Sequence, residues 1–335
     1  MNRTRISVLT ALLVVVLVAV AAIAWPTLSA LGDSGGATKP LLTTTPTHKP
    51  DSVKVAFLGD AGMSSDTRAV LQMVKSENAD MVVYSGDFDY QNDPPAWGDM
   101  LDSELGPHFP VVATIGNHDI YNWSGYHRVI KQRVERTDGL QCTGDLGLQS
   151  TCTYRNVTVV QSAVGLCDYN DNYDNYPSMC GPNRTHRTAD PQQYVQSHLA
   201  NSQTTWNVCS WHLVNHAYQV GEKGTKVPAS MYDTCRRGGA IIATGHDHAY
   251  ARTYPMSNFS DRTVASRSPP YTIGDGSTFA FVNAADGHSF YGRGEMADAD
   301  WWASTHTDGS FGVFFCTLRT DGTGECYFKT VDGEV

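Results

Sequence analysis

The sequence predicts an α/β protein whose core is a mainly parallel β-sheet. Short apolar runs, of the kind that buried parallel strands show, alternate with helical stretches over the first part of the folded region. In this β-α-β-α-β order, the strands are at residues 53–59, 81–86 and 110–116, and the helices are at residues 66–78 and 96–105. Such an order favours parallel pairing of the strands. A polar motif follows each apolar run, at the strand ends where open α/β sheets carry their sites.

The rest of the chain continues the pattern with one interruption. A helix near 127–136 precedes a stretch at 138–190 that is rich in Cys, Asn, Tyr and Asp, and we interpret this stretch as a disulfide-tied excursion rather than a second domain. A helix at 191–201 and strands at 206–211 and 240–244 resume the α/β order. The final segments FGVFFCTL and GECYFKTV alternate like an antiparallel hairpin that caps the sheet.

The N-terminal region carries targeting and linker signals rather than a core. Two arginines precede Ile6–Ala24, which contains no charged residue, so residues 1–24 are expected to be either a cleaved signal peptide or a retained signal anchor. Residues 25–51 are rich in Thr, Pro and Gly and predict a linker. Residues 52–335 are left as the folded domain, which we expect to be exported and either secreted or anchored in a membrane.

The eight cysteines agree with export, because an even number in an oxidising compartment usually forms disulfides. Cys316 and Cys326 flank a turn between two strand-like runs, which predicts a bridge across a hairpin. Spacing suggests three further pairs, Cys142–Cys152, Cys167–Cys180 and Cys209–Cys235. No CxxC motif of the kind that zinc sites use is present. Sequons for N-glycosylation occur at Asn122, Asn156, Asn183 and Asn258.

The formal net charge of −10 argues against two classes of partner. Nucleic acids and anionic membrane surfaces both select basic protein faces. We therefore expect no nucleic-acid partner, and contact with a membrane only through residues 1–24 if that segment is retained. A small molecule is the expected partner, and the sequence gives no indication of an oligomeric state.

Five short motifs contain side chains that bind metal ions. In chain order they are GDAG at 59–62, GDFDY at 86–90, GNHD at 116–119, CSWH at 209–212 and GHDH at 245–248. Carboxylate, amide and imidazole groups suit hard and borderline cations. Because each motif follows an apolar strand, the side chains are expected to meet at one edge of the sheet. Two cations held there, about 3.5–4 Å apart, would clamp the attacking and leaving oxygens of a phosphoryl transfer.

The predicted ligands form two metal sites that share one carboxylate. Asp87 lies in the middle of the set and is expected to bridge both ions. The other ligands form two groups, Asp60, Tyr90 and His248 in the first site and Asn117, His212 and His246 in the second. Singly, each motif is more often a turn or a packed side chain, but five in this order indicate a metal site. Asp89 is expected to face away and to contribute little.

These motifs resemble the signature of the purple acid phosphatases, within the calcineurin-like metallophosphoesterases, and are more similar to the small, mammalian-type branch. The resemblance covers residues 59–248 and implies an αββα sandwich of two mixed sheets, with a dinuclear site at the carboxyl ends of the strands. Generic metallophosphoesterases begin with Asp-x-His, whereas here Gly62 stands where that histidine would be, and Tyr90 occupies the position of the family's tyrosinate. The resemblance therefore implies Fe(III) beside Tyr90 and Fe(II), Zn(II) or Mn(II) in the second site.

The resemblance also implies how the reaction proceeds. A hydroxide held by the metals would attack the phosphorus of a small phosphoester. His118, next to Asn117, would donate a proton to the leaving group or hold the phosphate. The second catalytic histidine of the small branch has no equivalent at its usual spacing, because Glu222 and Lys223 occupy that region. His216 is the candidate in its place.

The predicted activity is that of an exported acid phosphatase that hydrolyses phosphomonoesters. Two alternatives remain open. A phosphodiesterase or nucleotide phosphatase would use the same metal pair on a different substrate, because substrate pockets are made by loops. A catalytically silent surface glycoprotein would keep the fold and use its exported face to bind a partner.

Overall fold

Two β-sheets lie face to face between layers of helices in the computed structural model of the chain, which describes residues 51–166, 190–274 and 276–335. The strands in chain order are β1 Ser52–Leu58, β2 Met81–Tyr84, β3 Val111–Ala113, β4 Leu140–Asp145, β5 Gln149–Tyr154, β6 Val157–Ser162, β7 Trp206–Ser210, β8 Ala240–Thr244, β9 Tyr250–Thr253, β10 Met256–Asn258, β11 Thr263–Val264, β12 Ala280–Asn283, β13 Trp302–His306, β14 Gly312–Arg319 and β15 Gly324–Thr330. The α-helices are α1 Ser65–Ser76, α2 Pro94–Glu104, α3 Trp123–Arg136, α4 Pro191–Ala200 and α5 Ala229–Arg237.

Both sheets are mixed, with a block of parallel strands that is flanked by antiparallel strands on one side in the first sheet and on both sides in the second. The first sheet has the order β15-β14-β1-β2-β3, in which β1, β2 and β3 are parallel and β14 and β15 are antiparallel additions. The second has the order β13-β9-β12-β8-β7-β6-β5-β4, with β6, β7, β8 and β12 parallel. The α/β prediction and the implied pair of mixed sheets are confirmed. Strands β10 and β11 form a separate small ribbon.

The core has an inner layer between the sheets and outer layers under the helices. Phe57, Phe281 and Phe314 meet between the sheets, with ring centroids 4.8 Å and 4.6 Å apart for the two closest pairs. The opposite face of β1 and β2 packs against α1, α2 and α3, and α4 and α5 pack on the outer face of the second sheet. Strands buried on both faces read as continuous apolar runs, which is why the sequence indicated them.

Local sequence signals set the helix starts. Ser64 caps α1, with its side chain accepting the backbone N–H groups of Asp66 and Thr67. Asp93 caps α2 in the same way, and Pro94 follows at the first helical position, where a proline costs no hydrogen bond. Each cap ends the loop between a strand and the following helix, and these loops carry the GDAG and GDFDY motifs. The caps therefore help to hold the two motifs in position.

The interpretation of residues 138–190 as an excursion from the α/β pattern is wrong for residues 140–162. Residues 140–162, within the presumed excursion, form β4, β5 and β6 and extend the second sheet by three strands. The outer strand β4 is largely exposed and carries glycine and polar residues, so its sequence lacks the apolar run that marked the central strands. Helix α5 was also missed, because its segment ASMYDTCRR offers a short apolar face.

The disulfide predictions are confirmed wherever the residues are described. Bridges join Cys142 to Cys152 across β4 and β5, Cys209 to Cys235, and Cys316 to Cys326 across β14 and β15. The pair Cys167–Cys180 lies outside the described residues, as do the sequon at Asn183, residues 1–24 and nearly all of the 25–51 linker. In the part of the chain that is described, no helix combines the length and the apolar character needed to cross a membrane.

One sequon is inaccessible to glycosylation. Asn156 is only 7 % exposed, and its side-chain amide donates to the backbone oxygen of Leu318 at 3.3 Å. Asn122 and Asn258 are partly exposed. An N-linked glycan needs an exposed asparagine, so Asn156 is not a candidate site.

Candidate metal centre

The predicted ligands converge because every motif follows a parallel strand. Asp60 follows β1, Asp87 follows β2 and Asn117 follows β3 in the first sheet. In the second sheet, His212 follows β7, and His246 and His248 follow β8. The carboxyl ends of these strands lie at a common edge of the sandwich. All six side chains are buried, with Asn117 the most exposed at 7 %.

The ligands of the second site lie within reach of one cation. One ligand atom from each of Asp87, His212 and His246 lies within 4.8 Å of the other two. Asn117 joins them, since its Oδ1 lies 3.1 Å from His212 Nε2. An oxygen and nitrogen donor set of this composition suits a divalent transition metal.

The first site is built around the hydroxyl of Tyr90. This hydroxyl donates to Asp60 Oδ1 at 3.0 Å and lies 2.9 Å from His248 Nε2. It is also 3.4 Å from Asp87 Oδ2. Asp87 therefore contacts both groups of ligands, which is the position that a bridging carboxylate requires. The metal-binding role of each residue stays a prediction.

The backbone at the site is held in conformations that side chains rarely adopt. Asp60, Asp87, Tyr90 and His246 have φ values of 55°, 52°, 55° and 71°. Left-handed conformations cost free energy for residues other than glycine, and they cluster at functional sites where the surrounding structure enforces them. Four of the predicted ligands therefore stand in turns that orient them at the cost of local strain.

Two glycines allow the motifs to approach one another closely. A Cβ added at Gly116 would overlap the side chain of Asp87, and one at Gly245 would lie 2.7 Å from Asp60 Oδ2. Contacts this short are not tolerated by real side chains. The glycines in GNHD and GHDH thus make room for the carboxylates of the neighbouring motifs.

Hydrogen bonds orient two imidazoles with Nε2 toward the centre. His212 Nδ1 lies 2.7 Å from the backbone oxygen of Ser85, and His248 Nδ1 lies 2.7 Å from Ser289 Oγ. Metal-binding histidines usually have the other ring nitrogen held in this way, which fixes the tautomer and the ring. The carboxylate, amide, phenol and imidazole groups of the site, together with these hydrogen bonds to His212 and His248, fit a pair of cations.

The charges of Asp60 and Asp87 favour a proton on His212, at a position where a metal would bind. Burial would raise the pKa of Asp87, but His212 outweighs it and holds this pKa below its usual range. Burial would lower the pKa of His212, but Asp87 and Asp60 raise it to about 9. The two form an ion pair of 3.2 Å. A cation must displace that proton, so metal binding should release protons and weaken as the pH falls.

A buried carboxylate ties two of the motifs together. Asp119, the last residue of GNHD, accepts the backbone N–H groups of Asp87, Phe88 and Gly116 at 2.7–2.9 Å. Burial and the charge of Asp87 raise the pKa of Asp119. Its role is to hold the turn that carries Asp87 against the turn that carries Asn117.

The two predicted catalytic histidines lie in different surroundings. His118 has an exposed side chain at the centre, where its ring lies 4.7 Å from that of Tyr90 and its backbone N–H donates to Asp87 Oδ1 at 2.8 Å. His216 lies in the short 3₁₀ turn His216–Tyr218, where it contacts the backbone oxygen of Lys223 at 3.1 Å and Glu295 at 3.6 Å. The structure thus brings His118, but not His216, into contact with the predicted ligands.

Asp89 differs from its sequence-based description in one respect. Its carboxylate does face away from the ligands, but it is 2 % exposed and accepts the backbone N–H groups of Gln91, Asn92 and Asp93 at 2.9 Å each. It also accepts the hydroxyl of Tyr126 at 2.6 Å. Asp89 therefore supports the loop after Tyr90, and its replacement is expected to reduce stability.

Three residues near the first site were missed by the sequence analysis. His288 stacks on Tyr90 with centroids 3.8 Å apart and planes within 9°, Ser289 contacts His248 as described, and Tyr291 stacks on His248 at 3.9 Å. They follow the buried apolar strand β12, which pairs in parallel with β8. The rule that polar residues after parallel strands line the site, applied to this strand too, would have indicated them.

Comparisons with known proteins agree with this fold. A family model described as calcineurin-like phosphoesterase matches residues 53–250. No curated protein sequence matches the chain. Among solved structures, the purple acid phosphatase PPD1 from yellow lupin (Lupinus luteus) is similar with a TM-score of 0.55 and 16 % identity, covering 86 % of this chain and 53 % of that one. The chain thus spans about half the length of the lupin protein.

Two further structures share the fold. GAP50, described as the anchor in the inner membrane complex of Plasmodium, has a TM-score of 0.53 and 13 % identity, covering 85 % of this chain and 87 % of that one. A structure of PhoD has a TM-score of 0.50 and 13 % identity, covering 84 % and 69 %. At these identities the likeness is one of fold.

Proposed function

The chain belongs to the calcineurin-like phosphoesterase family, whose fold is that of enzymes that hydrolyse phosphoesters on a metal centre, and on this premise we propose that it is an acid phosphatase of the purple acid phosphatase type. One observation carries the proposal: carboxylate, amide, phenol and imidazole side chains from five strand ends meet in one buried cluster, with Asp87 in contact with both halves. The fold also occurs in a protein described as an anchor, so the ligand set, rather than the fold, supports catalysis.

The surroundings of Tyr90 support a ferric first site. The hydroxyl of Tyr90 lies among Asp60, Asp87 and His248, where a phenolate would add a hard anionic oxygen suited to Fe(III). A Cβ added at Gly62 would lie 3.5 Å from His288 Nδ1. The space beside Gly62, where generic family members carry a histidine, is therefore occupied by a residue from another loop.

In the proposed mechanism, the chain holds two cations and supplies a proton. Asp60, Tyr90 and His248 would bind one ion, Asn117, His212 and His246 the other, and Asp87 both. When bound, the ions supply an activated water and neutralise charge on the phosphoryl oxygens. His118, exposed at the centre, would donate an imidazole N–H proton to the leaving-group oxygen. Because only the protonated imidazole can donate, we expect activity to be greatest at acid pH.

The substrate class is tested by comparing two esters of one phenol. The metal-loaded protein should hydrolyse para-nitrophenyl phosphate with a higher kcat/KM than bis(para-nitrophenyl) phosphate. A preference for the bis-ester would favour a phosphodiesterase on the same metal pair. Full metal occupancy without turnover of either ester would favour a silent binding protein.

Export is also part of the proposal. Disulfides at Cys142–Cys152, Cys209–Cys235 and Cys316–Cys326 support an oxidising compartment. The division into a targeting segment at 1–24, a linker at 25–51 and a catalytic domain at 52–335 remains our proposal, with the targeting segment either cleaved or retained.

Tyr90→Phe should bleach the protein if the first site holds Fe(III). A tyrosinate bound to Fe(III) gives a visible charge-transfer band, so we expect the wild-type protein to be purple or pink. Phenylalanine keeps the ring that stacks on His288 and removes only the hydroxyl. The check is a visible spectrum with metal analysis of both proteins. A colourless wild type that is active with two zinc or manganese ions would defeat the ferric assignment but not the phosphatase activity.

A further inference from the structure

Lys223 borders the metal centre although neither the motifs nor the ligand set includes it. Its Nζ lies 4.3 Å from the centroid of the Tyr291 ring, and that ring in turn stacks on the predicted ligand His248 at 3.9 Å. Tyr291 is 49 % exposed, and Lys223 is partly buried. The lysine and the tyrosine therefore line the mouth of the site.

The loop that carries Lys223 is attached directly to the GHDH motif. Asp247, between His246 and His248, accepts the backbone N–H groups of Val220 and Gly221 at 3.0 Å each. A Cβ added at Gly221 would overlap Asp247 Oδ1, so only glycine permits this approach. The loop is thereby fixed relative to two predicted ligands.

Two further residues hold the backbone of Lys223 itself. Gln219 Oε1 accepts the N–H of Lys223 at 3.2 Å, and Gln219 Nε2 donates to the Lys223 oxygen at 3.2 Å. His216 Nδ1 lies 3.1 Å from the same oxygen. His216 therefore helps to hold the loop in place. Together these contacts fix the backbone from which the Lys223 side chain extends.

Among the residues that the structure describes, no carboxylate forms an ion pair with Lys223. Across residues 51–166, 190–274 and 276–335, the ion pairs include none with its ammonium group, whereas the nearby Arg293 is paired with Asp298 at 2.5 Å. Its position over the Tyr291 ring, which stacks on His248, places this charge beside the predicted ligands. In a chain of net charge −10, a cation beside a metal centre that has no ion pair within the described residues is available for an anionic ligand.

We propose that the Lys223 ammonium group binds a phosphoryl oxygen of the substrate at the mouth of the metal centre and favours phosphomonoesters over diesters. The inference rests on the proposed function and names a specificity residue for it. A phosphomonoester loses its second proton at about pH 6 and is then a dianion, whereas a diester stays a monoanion, so a permanent positive charge stabilises the monoester more once that proton is lost. Lysine suits this role as a mobile point charge on a flexible stem.

The test compares Lys223→Met, which removes the charge and keeps an unbranched side chain, with Lys223→Arg, which keeps the charge. Lys131→Met, on the exposed face of α3, is the matched control for net charge.

Calorimetry with inorganic phosphate on each metal-loaded protein should show that Lys223→Met binds phosphate at least about tenfold more weakly, as expected for loss of a charged hydrogen bond. The KM for para-nitrophenyl phosphate should rise similarly with little change in kcat, and the KM for the bis-ester should rise less. Arginine should restore most of the affinity.

Phosphate affinity separates this inference from the proposed function. If the wild-type protein binds phosphate but hydrolyses neither ester, the proposed function fails, and the comparison of phosphate affinities still decides the role of Lys223. An unchanged phosphate affinity in Lys223→Met would overturn the inference, as would a wild type that binds no phosphate. Loss of metal ions from Lys223→Met would also overturn it, because the residue would then support the centre rather than bind substrate.

Discussion

Asp87→Asn should lose metal ions and hydrolytic activity together. Asparagine has nearly the same size and keeps an oxygen that can accept the His118 N–H, but it removes the negative charge that faces both His212 and the Tyr90 hydroxyl. Replacing an outer partner of a metal ligand usually costs roughly 10- to 100-fold in affinity or activity, and a ligand shared by both ions should cost more. We therefore expect kcat/KM to fall by more than about 100-fold, with less than two metal ions bound per chain.

The check is metal analysis and kinetics of the same preparation, with thermal unfolding to show that the fold persists. Asp138→Asn, at an exposed position after α3, removes the same charge and should retain metal and activity. Asp89→Asn is a poor control, because it removes a buried carboxylate with four hydrogen bonds and is expected to lower stability. Full metal content and activity in Asp87→Asn would show that the carboxylate does not bridge the ions.

His118→Ala should retain the metal ions and the colour while kcat falls by roughly 100-fold or more, the range typical of a lost general acid. The backbone N–H of His118, rather than its side chain, contacts Asp87, and alanine keeps that N–H. The exposed imidazole makes a ring contact with Tyr90, whose hydroxyl is held separately by Asp60. The substitution should therefore affect the chemistry more than the assembly of the centre.

The leaving group provides the measurement that isolates proton donation. Nitrophenolate departs without a proton, so the loss of kcat for para-nitrophenyl phosphate should be smaller than for an alkyl phosphate. Equal losses for the two substrates would indicate that His118 acts on the phosphate or the nucleophile. If the metals were lost, His118 would be a ligand or a support for one.

The parts of the fold that were predictable from the sequence are those with a strong local signal. Strands β2, β3 and β8 are fully buried and β1 and β7 are buried toward their carboxyl ends, so their apolar runs stand out, and the caps of α1 and α2 mark the helix starts. Strand β4 gave no such signal because it is exposed and stabilised by pairing with β5. The packing of one sheet against the other depends on contacts such as that of Phe57 with Phe281, which cannot be predicted from a local sequence pattern.

In the candidate site, too, only the residues with a local sequence signal could be predicted. Residues directly after an apolar strand were found, because position along the chain predicts position at the strand ends. The neighbours of the ligands were not found, because β12, which precedes His288 and Ser289, was not recognised as a strand and Lys223 lies within a loop rather than directly after a strand. Ser289 contacts His248, His288 stacks on Tyr90, and Lys223 contacts Tyr291 from a loop that Asp247 anchors. Asp89 shows the converse, since its direction could be predicted but its four hydrogen bonds could not.

Metal content measured together with phosphoester hydrolysis tests the central claim most directly. The purified protein should contain two metal ions per chain and hydrolyse para-nitrophenyl phosphate. A chelator that removes the ions should abolish this activity, and return of the metals should restore it. A folded protein that hydrolyses the ester with no bound metal, or that carries both ions and hydrolyses no phosphoester, would contradict the account.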